Sequence, residues 1–249
     1  MTIGQGGGQR PAGMREWIAF WDSNHSIYVN PRHRDVHYRG IAQDVRTYVP
    51  APDAVVLDYG CGDALHAGYL AEKCGRLILC DAAPGLRAGL ASRFASNTKI
   101  SVKSPEDVAR LSDGLLDLVS MVSVAQYLSH DELDALLALF RRILKPNGCL
   151  LIADIIPPSV SPVTDALALL RFATANGFLL PAISGLARTA MSDYRKLRTR
   201  LGLTHYTESE MIVRLAAAGF FGDRQPRNVG HNPARMTFLA RDAGDVAAA

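Results

Sequence analysis

Two carboxylates and two glycines are the residues in this chain most clearly spaced for chemistry. Leu57-Asp58-Tyr59-Gly60-Cys61-Gly62-Asp63 sits where an apolar run gives way to a helical pattern. Asp81 closes a second apolar run about 20 residues later, the distance at which an acid accepts hydrogen bonds from ribose hydroxyls. Glycine has no Cβ, so Gly60 and Gly62 allow a ligand to lie against bare backbone. A Gly-x-Gly pair alone also describes a tight turn with no ligand, and its surroundings must decide. A dinucleotide loop wants a third glycine, but position 65 is Leu65. Asp58, just before the turn, repels phosphate and attracts an ammonium group. The pattern favours a cationic, phosphate-free nucleoside over a nicotinamide dinucleotide.

The elements that must hold these residues follow from the spacing of apolar positions. Runs at Ala54–Asp58, Leu77–Asp81, Lys99–Lys103, Leu116–Ser123 and Cys149–Asp154 are short and, the third apart, too continuously apolar for a sheet with one wet face. Such runs fit a parallel sheet covered on both sides. Helical patterns lie between them. The clearest begins at Ser129, where Ser129 and Glu132 match a capping box and Leu133, Leu136, Leu137, Phe140, Ile143 and Leu144 form one stripe. Lys145-Pro146-Asn147-Gly148 should end that helix and turn into the fifth strand. This alternation predicts an α/β fold, a doubly wound, mostly parallel sheet with helices on both faces.

The rest of the chain decorates that core. Residues 1–13 read as a disordered lead-in, and 14–49 as a helical, aromatic cap before a core over 54–154. Residues 161–204 form a helical lid insertion after the fifth strand, and 205–241 supply a closing helix and strands. All of 14–249 is taken as one domain. The 249 residues carry a net charge of +3, are 48% hydrophobic and 20% charged, and show no apolar run long enough to cross a bilayer. The cysteines at 61, 74, 80 and 149 form no close pair, so buried free thiols in a reduced cytoplasm are expected, and no metal site.

Taken together, Leu57-Asp58-x-Gly60-x-Gly62, Asp81 at a strand end and Leu144-Lys145-Pro146-Asn147-Gly148 before the fifth strand resemble the class I, Rossmann-like methyltransferases. The resemblance runs from Ala54 to Asp154, and more loosely from Tyr206 to Arg241. It implies a last strand running antiparallel and S-adenosyl-L-methionine as the cofactor. Gly60 and Gly62 would then face the donor's methionine part, Asp81 with Ala82 its ribose, and Asp58 would stand near the donor directly or through water. Many relatives place an aspartate after the third strand against the adenine amino group. This chain has Ser104-Pro105-Glu106 there, so a backbone amide or Glu106 would take over. Ser123, ending the fourth strand, would touch the donor. Two other readings compete: a donor-binding protein without catalysis, and a nicotinamide-dependent oxidoreductase.

Which molecule receives the methyl is not written in the family pattern, but some classes are excluded. Ser123-Val124-Ala125-Gln126 replaces the Asn/Asp-Pro-Pro-aromatic signature of amino-methylating nucleobase enzymes, and no Pro-Cys supplies a cytosine nucleophile. No basic run interleaved with aromatics marks a nucleic-acid track. A small-molecule acceptor, apolar or lipid-like, is expected. A hydroxyl acceptor must lose a proton, which histidine near neutral pH can take. The cap gathers His25, Tyr28, Asn30, His33, His37 and Tyr38, and His37, Tyr28 and Tyr127 are the candidate catalytic residues. The same groups would serve equally as helix caps or as packing at the seam between cap and core. Asp154, His205, Tyr206 and His231 are weaker candidates. In the lid, the apolar stretch 163–180 precedes Arg188, Arg195, Lys196, Arg198 and Arg200. That order suits a cover for a greasy acceptor with a polar or anionic end, peripheral contact with an anionic membrane, or a solvated face over plain packing.

Overall fold

The computed structural model describes residues 12–23, 27–189 and 193–246, and in it the apolar runs become one mixed sheet of seven strands. The strands β1 (Val55–Tyr59), β2 (Arg76–Cys80), β3 (Ile100–Lys103), β4 (Leu116–Val122) and β5 (Leu144–Ile155) are parallel. β6 (Phe220–Arg224) and β7 (Met236–Asp242) close the sheet, with β7 antiparallel to both β5 and β6. The order is β3-β2-β1-β4-β5-β7-β6, so the winding direction reverses between β1 and β4. The crevice at the carboxyl ends of those two strands is where such sheets take ligands.

Alternation within each run explains why the strands read as continuously apolar. Leu57, Ile78, Val119 and Leu150 point into one core, whereas Val56, Leu77, Leu79, Leu118 and Leu151 point into the other. The first core is closed by α5 (Pro105–Ala109), α6 (His130–Ile143) and α10 (Glu208–Ala217), through Val108, Leu133, Leu137, Phe140, Met211 and Leu215. The second is closed by α2 (Pro31–Arg46), α3 (Ala67–Ala71) and α4 (Pro84–Arg93), through Val45, Leu70 and Leu90. Each fully buried side chain of this size contributes roughly 1.5–3 kcal/mol.

The helix ends follow their sequence signals. Ser129 and Glu132 form the expected capping box on α6, and Thr207 with Glu210 forms another on α10. The fifth strand starts earlier than its apolar run. Leu144 pairs with Leu116, the register then shifts, and pairing resumes at Cys149 opposite Leu118. Lys145-Pro146-Asn147-Gly148 therefore forms an irregularity within β5, pinned by Lys145 Nζ on Asp117 at 2.7 Å.

Ahead of the sheet lie α1 (Ala12–Trp21) and α2, and after β5 come α7 (Pro162–Asn176), α8 (Leu179–Thr189) and α9 (Asp193–Leu201). The short α11 (Ala243–Val246) follows β7. Most of the lead-in anticipated over 1–13 lies outside the described residues, but its last two residues already belong to α1. His25 also lies outside them. α7 packs on α2 and α9 on α1. A small core of Ala173, Phe178 and Ala182, flanked by Val29, Val36 and Phe172, holds the insertion to α2 and the residues before it. Val163, Leu167, Leu180 and Ile183 stay exposed on α7 and α8. Among the described residues no helix is long and apolar enough to cross a membrane.

Candidate active site

A cavity of about 690 Å³ opens over the carboxyl ends of β1, β2 and β4. Asp58, Gly60 and Gly62 line it from the turn after β1, with Asp81, Ala82 and Ala83 after β2. Pro105 and Glu106 of α5 and Ser123 after β4 complete this wall. Asp81 is the hub of the loop. One carboxylate oxygen accepts the Gly62 N–H at 3.0 Å and the other the Ala83 N–H at 2.9 Å. Burial raises its pKa, and those amide bonds work against the rise.

Asp58 has fewer partners. It is half-buried on the cavity wall, receives one hydrogen bond from Ser120 Oγ at 3.1 Å, and its pKa is pushed up to about 6. Desolvation is the main cause, with neighbouring Asp81 adding to it against the Ser120 bond. A carboxylate in this condition favours a cation beside it. An aminoacyl sulfonium nucleoside supplies one through its ammonium group, and the second acid, Asp81, faces the same cavity for a ribose diol. The residues fit S-adenosylmethionine on these grounds.

One sequence expectation changes here. Gly60 and Gly62 do not leave space for a ligand at their missing Cβ atoms. A Cβ on Gly60 would lie 2.3 Å from Val124 Cγ2, and one on Gly62 would lie 2.5 Å from Tyr38 Oη. Both glycines also have positive φ, +75° and +55°, so the turn itself needs them. Their role is to let the loop fold tightly under α2 and the residue after Ser123. The Ser104 hydroxyl caps α5, accepting the Asp107 N–H while the Asp107 carboxylate accepts the Ser104 N–H. The wall after β3 is made by Pro105, Glu106 and Ala109.

α2 braces the loop after β1. Arg34 Nε donates to Asp63 Oδ2 at 2.7 Å, and one turn later Tyr38 Oη accepts the Asp63 N–H at 2.9 Å. The i, i+4 spacing puts both groups on one helix face. Asp35 adds a third tie to His66 Nε2 at 2.8 Å.

The same cavity continues to a ring cluster. Tyr28, His33, His37 and His231 line it, and so do Asp154 and Arg235. The three imidazole centroids stand 6.1 to 6.4 Å apart. Tyr28 lies within 5.6 Å of His33 and His37, and burial pushes its phenol up to about 12. Burial likewise lowers His33 to about 4 and His37 to about 3, with the neighbouring histidines adding to both shifts. Tyr127 lines another part of the wall, packed between Trp17 at 4.6 Å and Trp21 at 5.7 Å. Of the weaker candidates, Tyr206 is buried in the sheet core, and neither it nor His205 lines the cavity.

Arg235, in the loop between β6 and β7, was not singled out by the sequence. Its guanidinium bonds Asp154 Oδ2 at 2.7 Å and both oxygens of Asp165 at 3.0 and 3.1 Å. Asp154 also receives Ser123 Oγ at 2.7 Å. Ser123 and Asp154 both hold left-handed backbone, at φ 59° and 61°, a conformation that costs a non-glycine residue energy and gathers at functional sites. The chain Ser123–Asp154–Arg235–Asp165 thus joins the carboxyl end of β4 to the first turn of α7. Two of the lid arginines expected to meet an acceptor are otherwise engaged. Arg200 pairs with Glu16, and Arg198 approaches Asp165 at 3.7 Å. The side chains of Arg188 and Arg195 lie outside the described residues. All four cysteines are free, and no cluster of metal-ligating side chains occurs among the described residues.

Comparison with known proteins bears on the fold and on one segment of the chain. Residues 56–148 match the family described as Methyltransferase domain. No curated protein gives a significant match. Among solved structures, the N-methyltransferase NodS from Bradyrhizobium japonicum, in complex with S-adenosyl-L-homocysteine, aligns with a TM-score of 0.58 at 18% identity. That alignment covers 93% of this chain and 99% of NodS. Phosphoethanolamine N-methyltransferase 1 from Haemonchus contortus aligns at 0.61 and 16% identity, over 97% of this chain and 52% of that one. Magnesium protoporphyrin IX methyltransferase from Synechocystis, with bound S-adenosylhomocysteine, aligns at 0.55 and 16%, over 92% and 94%. These identities carry the fold, and within it residues 56–148 carry the match to the family described as Methyltransferase domain.

Proposed function

We propose that this enzyme methylates a small-molecule, largely apolar acceptor held at the ring-lined end of the cavity. One observation carries the reading: a single cavity joins the Asp58, Gly62 and Asp81 wall to Tyr28, His37 and Tyr127. When bound, S-adenosylmethionine supplies an electrophilic methyl group. Asp58 would hold the donor's ammonium group, Asp81 and Ala82 its ribose, Glu106 and the Pro105 backbone its base, and Ser123 its middle. Tyr28, His37 and Tyr127 would fix the acceptor's orientation. Alignment of nucleophile, methyl carbon and sulfur supplies much of the acceleration in such a displacement. Trp17, Ile18 and Trp21 of α1 line the cavity and would exclude water from it.

Phosphoethanolamine and magnesium protoporphyrin IX, named for two of the neighbouring structures, are small molecules, which supports a small-molecule acceptor. A labelled methyl donor incubated with the enzyme and a deproteinised cell extract tests the proposal. Label should enter the small-molecule fraction, and Asp81→Ala should weaken donor binding by about 1–3 kcal/mol. Label confined to added protein or nucleic acid would refute it.

A further inference from the structure

α7 and α8 form a hairpin with two unlike faces. Gly177, in left-handed backbone, ends α7 and turns the chain into α8. The inward faces of both helices close on the small core of Ala173, Phe178 and Ala182. α8 comes so near Val29 that a Cβ on Gly185 would lie 2.2 Å from Val29 Cγ1, which fixes the side of α8 that faces inward. On α7, Phe172 stacks on His231 at 5.0 Å, and His231 lines the cavity. The hairpin is therefore seated at the ring-lined end of that cavity.

Its outward face is apolar. Val163 and Leu167 stand one turn apart on α7, exposed to 67% and 50%. Leu180 and Ile183 stand one turn apart on α8, exposed to 79% and 52%, with Leu179 beside them. Elsewhere among the described residues only Tyr69, Val213 and Phe221 are large, apolar and exposed. Single exposed apolar residues are ordinary, whereas a concentration on one small unit marks an interaction surface.

The charges say what that surface meets. From Pro162 to Thr189 the charged residues are Asp165, Arg171 and Arg188. Asp165 is turned inward, where it takes Arg235 at 3.0 and 3.1 Å and Asn232 Nδ2 at 2.7 Å. Arg171 is exposed and continues the i, i+4 row of Val163 and Leu167. At the hairpin tip, exposed Arg32 of α2 donates to the Asn176 carbonyl. The apolar face thus carries cations at its edge, and the hairpin's one carboxylate is withdrawn from it. A second copy fits poorly, because two-fold pairing would oppose these arginines across the interface with no hairpin carboxylate to meet them. Residues 1–11 fit poorly too, since Met1 and Ile3 are their only large apolar side chains and Arg10 adds a like charge. A bilayer with anionic headgroups offers both an apolar interior and the opposite charge at its boundary.

We propose that the outward face of α7 and α8 docks on an anionic lipid bilayer, with Leu180 and Ile183 entering the acyl boundary and Arg171 and Arg32 among the headgroups. The docking stands apart from the methyl-transfer reading. It places the hairpin between the lipid and the ring-lined end of the cavity.

Co-sedimentation of the full chain with vesicles tests the proposal. At low salt, vesicles containing phosphatidylglycerol should bind at least about fivefold more tightly than phosphatidylcholine alone, and about 0.5 M salt should remove most of that preference. Leu180→Asp with Ile183→Asp should lose at least about tenfold in vesicle affinity, whereas Val213→Asp, exposed on α10, should lose none. Val163→Ser with Leu167→Ser repeats the test on α7 with a milder change and should also weaken binding. Arg171→Glu should abolish the preference for anionic vesicles. All these sites are exposed, so each variant should melt as cooperatively as the native protein. No binding to either vesicle, equal binding to both, or native binding by the hairpin variants would overturn the proposal. So would a native dimer that the Leu180 and Ile183 substitutions dissociate, since a second copy would then be the occupant.

Discussion

Replacing Asp58 by Asn should move stability and donor affinity in opposite directions. Asp58 is raised from its ordinary 3.8 to about 6, chiefly by desolvation. The folded protein therefore holds the proton more tightly than the unfolded chain. As pH falls from about 6 toward 4, the folded form takes up a proton that the unfolded form does not, and stability rises. Above about 6 the full cost of the buried charge is present, about 3 kcal/mol for a shift of this size. Asparagine removes that charge, and its carbonyl can still accept the Ser120 bond. At pH above 7 the free variant should melt several degrees higher, since each kcal/mol shifts a chain of this size by about 2–4 °C. Its stability should also depend less on pH between 4 and 6. Donor affinity should fall by about 1.5–3 kcal/mol, the range for a lost hydrogen bond to a charged group. Thermal melts across pH and calorimetric titration of S-adenosylhomocysteine read both effects. A variant that melts lower while binding the donor as tightly as the native protein would refute the reasoning.

The donor-side turn makes a second prediction, because a Cβ at Gly60 meets Val124 Cγ2 at 2.3 Å on backbone of φ +75°. Gly60→Ala should lower the urea midpoint, and adding Val124→Ala should recover part of the loss by relieving the clash but not the strain. Arg235→Met leaves Asp154 without its cation and Asp165 with Arg198 alone at 3.7 Å, and denaturant unfolding should register about 3–5 kcal/mol of destabilisation. No loss would mean that the carboxylates find other partners. Phe178→Ala removes a fully buried ring from the lid core and from the face of His33, at a cost of about 3–5 kcal/mol. Hydrogen exchange should rise first in α7 and α8 rather than in the sheet, and uniform acceleration would contradict a separately seated lid.

The cavity wall of Asp58, Gly60, Gly62 and Asp81 was legible because it is local in sequence. Strand, turn and helix follow one another from Val55 to Ala71, and Asp81 ends the neighbouring parallel strand. Apolar runs also located the strands, since each is buried on alternate faces by different helices. What the glycines are for was not legible, because Tyr38 and Val124 come from other segments. Arg235 and Asp154 are 81 residues apart in sequence, so neither announces the other. Both carry a faint signal, an acid at a strand end and a cation in a loop between strands, that only the fold connects. The lid arginines read as free charge in sequence because Glu16, the partner of Arg200, lies 184 residues away.

Titration of the native protein with S-adenosylmethionine, beside the same titration with NAD, tests the central claim most directly. A half-buried Asp58 beside Asp81, with Leu65 where a dinucleotide loop needs glycine, predicts saturable heat for S-adenosylmethionine at micromolar concentration and none for NAD. Tighter binding of NAD, or no binding of S-adenosylmethionine, would contradict it.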